Sequence, residues 1–279
     1  MSDVVRVRAP ATTANVGPGF DCVGIALDLW NEVEVGEGEA PVEREAPVES
    51  DHLGVRAFAR LLPPDGFRFA WREAIPRERG LGSSAAVVAL GLVAGACAAG
   101  REPDPEELLA LGLDLEGHGD NLAPALAGGV CLTWGARIAR LADRPPAAAI
   151  ALVPEATVST AAARAALPAT VPHADAAHTA GRASLLGAAL ASGSPELFGA
   201  ALDDRLHEPY RAAGAPVLMV VRAAPPEGAL GATLSGSGPS VIVWAREEAA
   251  EACAAELAER FPETRVLRLA ASPSGAHAF

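Results

Sequence analysis

Residues Gly80-Leu81-Gly82-Ser83-Ser84-Ala85-Ala86 run into an apolar stretch that ends at Ala99. This is the composition of an anion cradle. Small residues let the backbone approach an anion closely. The first N–H groups of a following helix point outward, and its dipole favours negative charge there. Ser83 and Ser84 add hydroxyls for phosphate oxygens or a magnesium ion. The same letters also describe a tight turn with a helix N-cap, so the loop alone does not decide between the two.

All 22 basic residues are Arg and none is Lys. That excludes a Walker-type P-loop, whose Lys reaches the β- and γ-phosphates, and a protein kinase, which needs its own Lys there. It also excludes Schiff-base chemistry on a lysine. A nucleotide bound here is held by backbone amides, hydroxyls and Arg.

Four further segments carry chemistry-bearing residues, each with a plainer reading beside it. Pro10 to Asp21, with Asn15 and Asp21, reads alone as a structured turn. Glu116-Gly117-His118-Gly119-Asp120-Asn121-Leu122-Ala123-Pro124 reads alone as a solvated helix end. Val158 to Arg164 contains Thr160 and is followed by Leu167-Pro168, and Leu234 to Ser240 is by itself a hairpin turn. Two of the three asparagines, Asn15 and Asn121, fall in these segments.

In this order the segments resemble the GHMP small-molecule kinases, over about Arg6 to Trp244. The Gly-Leu-Gly-Ser-Ser-Ala loop and the Gly-Ser-Gly-Pro turn mark the superfamily. The Thr-Ala-Asn…Gly-Phe-Asp, Asp-Asn-Leu-Ala-Pro and Val-Ser-Thr…Ala-Arg…Leu-Pro segments, with Glu208-Pro209-Tyr210-Arg211, resemble its homoserine kinase branch. The resemblance implies transfer of the ATP γ-phosphate to the side-chain hydroxyl of L-homoserine, with Mg²⁺, giving O-phospho-L-homoserine for threonine biosynthesis. It implies a two-domain α+β fold: an N-terminal domain like ribosomal protein S5 domain 2, and a ferredoxin-like C-terminal domain. ATP and substrate meet in the cleft between them.

Residue roles follow from the same resemblance. Gly80, Leu81, Gly82, Ser83, Ser84 and Ala85 wrap the triphosphate. Ser84 and Glu116 hold Mg²⁺, which accepts one carboxylate, one hydroxyl and phosphate oxygens. Arg164 and Arg211 hold the substrate carboxylate, a task suited to a guanidinium fork. Asn15 and Asp21 match positions near the ammonium, Thr160 lies in the same pocket, and Asn121 is near the reactive hydroxyl. Asp21 is the tempting base, but an ammonium role occupies it. The expectation is catalysis by alignment, Mg²⁺ and loop amides, with Asn121 orienting the hydroxyl. His118 is expected to structure its loop, and His173 and His178 share no partner at metal-ligand spacing.

The chain departs from the family in two places. Asp51-His52-Leu53 stands where relatives often have Asn before the Leu near the adenine pocket, and Ala212 to Gly228 replaces a longer helical stretch. Two rivals remain: another GHMP kinase, such as a mevalonate kinase, whose substrate has a carboxylate but no ammonium, and a nucleotide-binding regulator that has lost catalysis.

The elements that position these residues are read from pattern. Val4–Ala9 alternates as a strand, Ala11–Asp21 reads as a loop, and Val23–Leu29 and Glu32–Val35 as strands. Gly36–Glu49 reads as an acidic surface hairpin or loop. His52–Leu61 is helical and Phe67–Ile75 a strand. Pro105–Glu116 is a helix capped by Asp104 with Pro105 in its first turn. Gly129–Trp134 and Ala148–Val153 are strands. Arg137–Pro146 is the expected junction, dividing the chain into domains 1–145 and 146–279. Helices over Ala176–Leu190, Pro195–Leu206 and Glu247–Arg260 and strands over Ala232–Ser235, Ser240–Trp244 and Thr264–Leu269 follow. Without strict βαβ alternation the class is α+β.

At 279 residues and half apolar, the chain has material for a large core. Its net charge of −13 argues against nonspecific nucleic-acid binding. Cys22, Cys97, Cys131 and Cys253 form no CxxC pair and are expected to be buried, reduced thiols. Met1–Arg8 shows no signal-peptide core, and the Ala85–Ala99 run is shorter than the ~20 residues of a membrane helix. A cytoplasmic enzyme acting on a small molecule is expected, and a homodimer is common in the family. Met219 and the tryptophans read as core.

Overall fold

The computed structural model describes residues 4–38 and 51–279. Most of the expected Gly36–Glu49 hairpin lies outside the described residues; Gly36 and Glu37 end a strand.

Two sheets, antiparallel throughout, carry the site. The first contains β1 (Val4–Asn15), β2 (Gly19–Glu37), β3 (Phe67–Arg72), β4 (Val130–Trp134), β5 (Arg137–Ala142) and β10 (His277–Ala278), in the order β10-β1-β2-β4-β5 with β3 also paired to β2. The second contains β6 (Ala148–Val153), β7 (Ala229–Leu234), β8 (Val241–Ala245) and β9 (Arg265–Leu269), in the order β7-β8-β6-β9. The point 145/146 falls between β5 and β6, and β10 crosses back to pair with β1.

Sequence and structure differ in several elements. The expected loop Ala11–Asp21 is instead the end of β1, a turn, and the start of β2, while the two strands expected over Val23–Val35 are one long β2. The turn needs left-handed backbone at Asn15 (φ 70°), Val16 (φ 47°) and Gly17 (φ 72°). Asn and Gly take this region readily, but a β-branched Val does not, which is why pattern reads a loop here. Such strain costs about 1–3 kcal/mol and needs a surrounding structure that enforces it; Val16 is fully buried. Arg137–Pro146 is a strand for most of its length, since β5 pairs with β4. The helix expected to Leu206 stops at Ala201 (α7, Pro195–Ala201); beyond it side chains accept the backbone N–H groups, Thr179 Oγ1 that of Arg205 and the Asp204 carboxylate those of Leu206, His207 and Glu208.

Helix α2 (Ser83–Ala98) is buried on nearly every side, as an apolar helix without a polar face must be. Its glycines allow close packing: a Cβ on Gly91 would lie 2.1 Å from the Gly54 carbonyl of α1 (Leu53–Phe58). Helix α3 (Pro105–Glu116) begins where expected, with Asp104 accepting from the Glu107 N–H at 2.8 Å, and ends at Gly117 in the left-handed region.

Alternation along β6 divides the cores. Ala149, Ala151 and Val153 face the large core shared with the first sheet, α2 and α6 (His173–Ser192). Ile150 and Leu152 face a smaller core under α9 (Pro216–Ala223) and α10 (Ala250–Arg260). Trp244 is fully buried, but Trp134 and Met219 are each 56% exposed, against the expectation that they are core. Cys131 and Cys253 are buried while Cys22 and Cys97 are half-buried, and all four are unpaired.

Candidate active site

A cleft runs between the sheets. It is lined by every residue expected to hold ATP, Mg²⁺ or substrate except Ala85. Ala85 is fully buried on the core side of α2, so it can offer the cleft only its backbone.

The phosphate loop has the geometry an anion needs. Gly80 and Gly82 have φ of 76° and 66°. A Cβ on Gly80 would lie 2.1 Å from the Ser235 carbonyl, and one on Gly82 1.8 Å from Thr12 Oγ1. Two bonds fix the loop: Thr12 N–H donates to the Leu81 carbonyl at 3.1 Å, and Ser235 Oγ to the Gly80 carbonyl at 2.7 Å. No side chain caps α2, so the first N–H groups of a buried helix remain for a ligand.

Ser84 Oγ donates to Glu116 Oε2 at 2.7 Å, across 32 residues. The capped end of α3 places Glu116 there. Burial pushes its carboxyl above the ordinary value of 4.5, with the Ser84 bond pulling it back down. A desolvated carboxylate facing a hydroxyl gains from a cation between the two. No cluster of three or more His, Cys, Asp or Glu side chains is placed to hold a metal among the described residues. A hydroxyl and a carboxylate fit Mg²⁺, which takes few protein ligands and fills its shell with water and phosphate oxygens.

The far end of the cleft holds opposed charges. Asp21, itself at φ 59°, accepts from Arg164 at 2.8 and 3.1 Å. Its backbone N–H donates to Asn15 Oδ1 at 3.0 Å, while Asn15 Nδ2 donates to the Gly236 carbonyl at 2.9 Å. Arg164 comes from α5 (Thr160–Ala165), which Ser159 caps through the Ala162 N–H. Thr160 opens that helix and is exposed to the cleft.

Arg211 ends α8 (Glu208–Arg211) and is 7% exposed. Burial, and then the charge of Arg164, push its guanidinium below its ordinary value. Two guanidinium groups that raise each other's energy form a receptor for an anion. Phe20 lies beneath both, its ring centroid 5.2 Å from the Arg211 guanidinium carbon and 5.9 Å from that of Arg164.

Asn121 lies between the two ends. Its Oδ1 accepts from Thr12 Oγ1 at 2.7 Å, and its Nδ2 faces Asp120 Oδ1 at 3.4 Å. Asp120 also accepts from the Asn121 N–H at 2.9 Å and meets His118 Nδ1 at 2.7 Å. His118 thus structures its loop, and the Asp120 bond raises its pKa. His173 and His178 are remote from the cleft, the latter bonded to Asp203 at 2.8 Å.

The sequence reading missed Asp120, Glu78, Gly236 and Ser237 as lining residues, and Thr12, which donates to the lining residue Asn121. All but Glu78 lie inside the quoted segments, so proximity to Asn15, Asn121 and the Gly-Ser-Gly-Pro turn was the available signal. Glu78 has φ 55° and accepts the Val158 N–H at 3.0 Å. Beside it, Arg79 donates to the Pro154 and Glu155 carbonyls at 2.9 and 2.7 Å. These bonds join the phosphate loop to the segment carrying Thr160 and Arg164.

Residues 52–129 match the GHMP kinases N terminal domain, and residues 186–263 match the GHMP kinases C terminal family. A homoserine kinase of Clavibacter michiganensis is 41% identical over 92% of this chain and 87% of its own length. One from Moorella thermoacetica is 39% identical over 97% and 98%. The crystal structure of homoserine kinase from Cytophaga hutchinsonii superposes with a TM-score of 0.88 at 27% identity, covering 100% of this chain and 98% of that one. At that identity over that length, the chain belongs to the homoserine kinase branch of the GHMP kinase family.

Proposed function

We infer that this protein is an ATP:L-homoserine O-phosphotransferase, forming O-phospho-L-homoserine and ADP with Mg²⁺. The observation that carries the reading is one cleft with three kinds of group: an uncapped helix N-terminus, a hydroxyl–carboxylate pair, and an Asp21–Arg164–Arg211 charge set at the far end.

Each residue then has a task. Loop N–H groups and the α2 dipole hold the triphosphate. Ser84 and Glu116 hold Mg²⁺, which neutralises phosphate charge when bound. Arg211 and Arg164 take the substrate carboxylate, and Asp21 and Asn15 the ammonium. A zwitterion can exchange with the Asp21–Arg164 pair without leaving either charge unpaired; a monoanion leaves Asp21 unpaired. Thr160 borders the same end.

Thr12 occupies Asn121 Oδ1 and one amide N–H faces Asp120, which leaves the other amide N–H for the cleft. It can therefore hold the hydroxyl oxygen of homoserine but cannot take its proton. Asp21 is engaged by Arg164 and the ammonium. Catalysis in this reading is alignment and charge neutralisation in a loose transition state.

The test is to follow product formation from ATP and L-homoserine by mass and phosphorus NMR, alongside homoserine amide and 4-hydroxybutyrate. Phosphate ester formed one for one with ADP from homoserine, with both analogues at least about tenfold poorer in kcat/KM, supports the reading. Equal use of 4-hydroxybutyrate removes the ammonium site from it.

A further inference from the structure

His207 is fully buried and belongs to none of the roles above. Its two ring nitrogens reach opposite sides of the substrate end. Nε2 is 2.8 Å from the Gly17 carbonyl, in the β1–β2 turn that carries Asn15 and leads to Asp21. Nδ1 is 3.3 Å from Arg211 Nη1. A carbonyl can only accept and a guanidinium can only donate. The imidazole must therefore be neutral, with its proton on Nε2 and a lone pair on Nδ1.

Three contacts frame the ring, its backbone and the turn it bonds. Phe20 stacks on it at 4.9 Å between centroids and 20° between planes, and the same Phe20 lies under Arg211 and Arg164. The Asp204 carboxylate accepts the His207 N–H at 2.8 Å and fixes the backbone before α8. On the other side, the Gly17 backbone packs closely on Leu202, since a Cβ there would lie 2.6 Å from the Leu202 carbonyl.

We propose that His207 is a positioning residue for substrate recognition: as the Nε2–H tautomer it holds the Arg211 guanidinium at a set distance from the turn bearing Asn15 and Asp21, and so sets the spacing between the carboxylate and ammonium subsites. This rests on the reading that Arg211 meets the substrate carboxylate.

Protonation of His207 removes the acceptor that Arg211 uses and places two cations side by side. The charged groups facing the ring are Asp204, Arg211 and Asp21; burial outweighs the two carboxylates and holds the pKa below the ordinary 6.5. The ring is therefore neutral at pH 7, and a loss of homoserine affinity on acidification belongs below pH 6.5.

Two isosteric variants separate the two bonds. His207→Asn keeps an acceptor near Nδ1 and loses the Gly17 bond; His207→Gln keeps a donor near Nε2 and loses the acceptor for Arg211. Steady-state kinetics with L-homoserine and ATP should give His207→Gln a homoserine KM about tenfold above wild type and above His207→Asn. ATP KM and kcat should stay within about twofold in both, which also shows that both are folded. At saturating Mg²⁺, which removes the contribution of Glu116, the acid limb of homoserine kcat/KM below pH 6.5 should disappear in both. Equal homoserine KM values for the Asn and Gln variants, or an unchanged acid limb, overturns the proposal. Arg211→Ala, measured alongside, separates the two levels: if it leaves homoserine KM unchanged, the carboxylate reading of Arg211 fails; if it raises KM and His207→Gln does not, the role of His207 alone fails.

Discussion

The Asp21 carboxylate engages the Arg164 guanidinium end-on, Oδ1 accepting from Nη2 at 2.8 Å and Oδ2 from Nη1 at 3.1 Å, across 143 residues. Both groups are more than a third exposed, so this pair adds little to stability. Its importance is in binding, because an amino acid brings the matching pair of charges. Arg164→Ala is expected to raise homoserine KM roughly 10- to 100-fold, from the ~1.5–3 kcal/mol of a charged hydrogen bond, with ATP KM unchanged. Asp21→Asn should raise homoserine KM and reduce discrimination against 4-hydroxybutyrate. A turnover loss at unchanged homoserine KM would instead make Asp21 the base.

Glu116 gives a metal and pH prediction. Its carboxyl titrates above the ordinary 4.5 because it is buried, and only the ionised form binds Mg²⁺ well. As pH falls toward that raised value, activity at limiting Mg²⁺ should fall, and added Mg²⁺ should restore it. Glu116→Gln should raise the Mg²⁺ concentration for half-activity about tenfold and remove that pH dependence. A Mg²⁺ titration unchanged in the variant would refute the assignment.

The phosphate loop is tested at Gly82. A side chain there requires φ 66° and meets Thr12 Oγ1 at 1.8 Å. Gly82→Ala should cost about 1–2 kcal/mol from backbone conformation alone. It should also push Thr12 off Asn121, so kcat should fall as well as ATP affinity. Isothermal titration with a nonhydrolysable ATP analogue checks the second effect.

Glu208 behaves as part of the scaffold. Burial pushes its carboxyl up to about 7, although the nearby Arg222 guanidinium acts against this. It accepts from Arg222 and, at 2.7 Å, from the Leu234 N–H, joining α8 to β7. Between the ordinary 4.5 and about 7 the folded chain binds a proton that the unfolded chain has released. The contribution of this group is therefore fully present below 4.5 and declines as pH rises through about 7. Urea midpoints measured against pH should show a flatter decline for Glu208→Gln than for wild type. Glu208→Ala, which leaves the buried Leu234 N–H without its acceptor while Arg222 keeps the Ala232 carbonyl, should cost about 1–3 kcal/mol.

The legible parts of the fold and site were those written in short runs of chain. The Gly80–Ala85 loop and α2 follow from small residues before an apolar run, and α3 from Asp104-Pro105 and Gly117. These place Ser84 and Glu116 near the ends of two helices, but their 2.7 Å contact depends on packing. The β1–β2 turn was not legible because Val16 adopts a conformation its propensity opposes. β5 was obscured by the Pro145-Pro146 pair beside it. His207 has no motif of its own; its meaning comes from Gly17, 190 residues away. Thr12 and Asp120 were hidden in another way, as plain neighbours of more conspicuous residues.

The most direct measurement is kcat/KM in a coupled ADP-release assay with Mg-ATP and L-homoserine, mevalonate, L-threonine and galactose, with product mass confirmed. The Asp21–Arg164–Arg211 charge set predicts fast turnover of L-homoserine alone, yielding a phosphate ester. Turnover of mevalonate equal to or above that of homoserine, or none on homoserine, would contradict it.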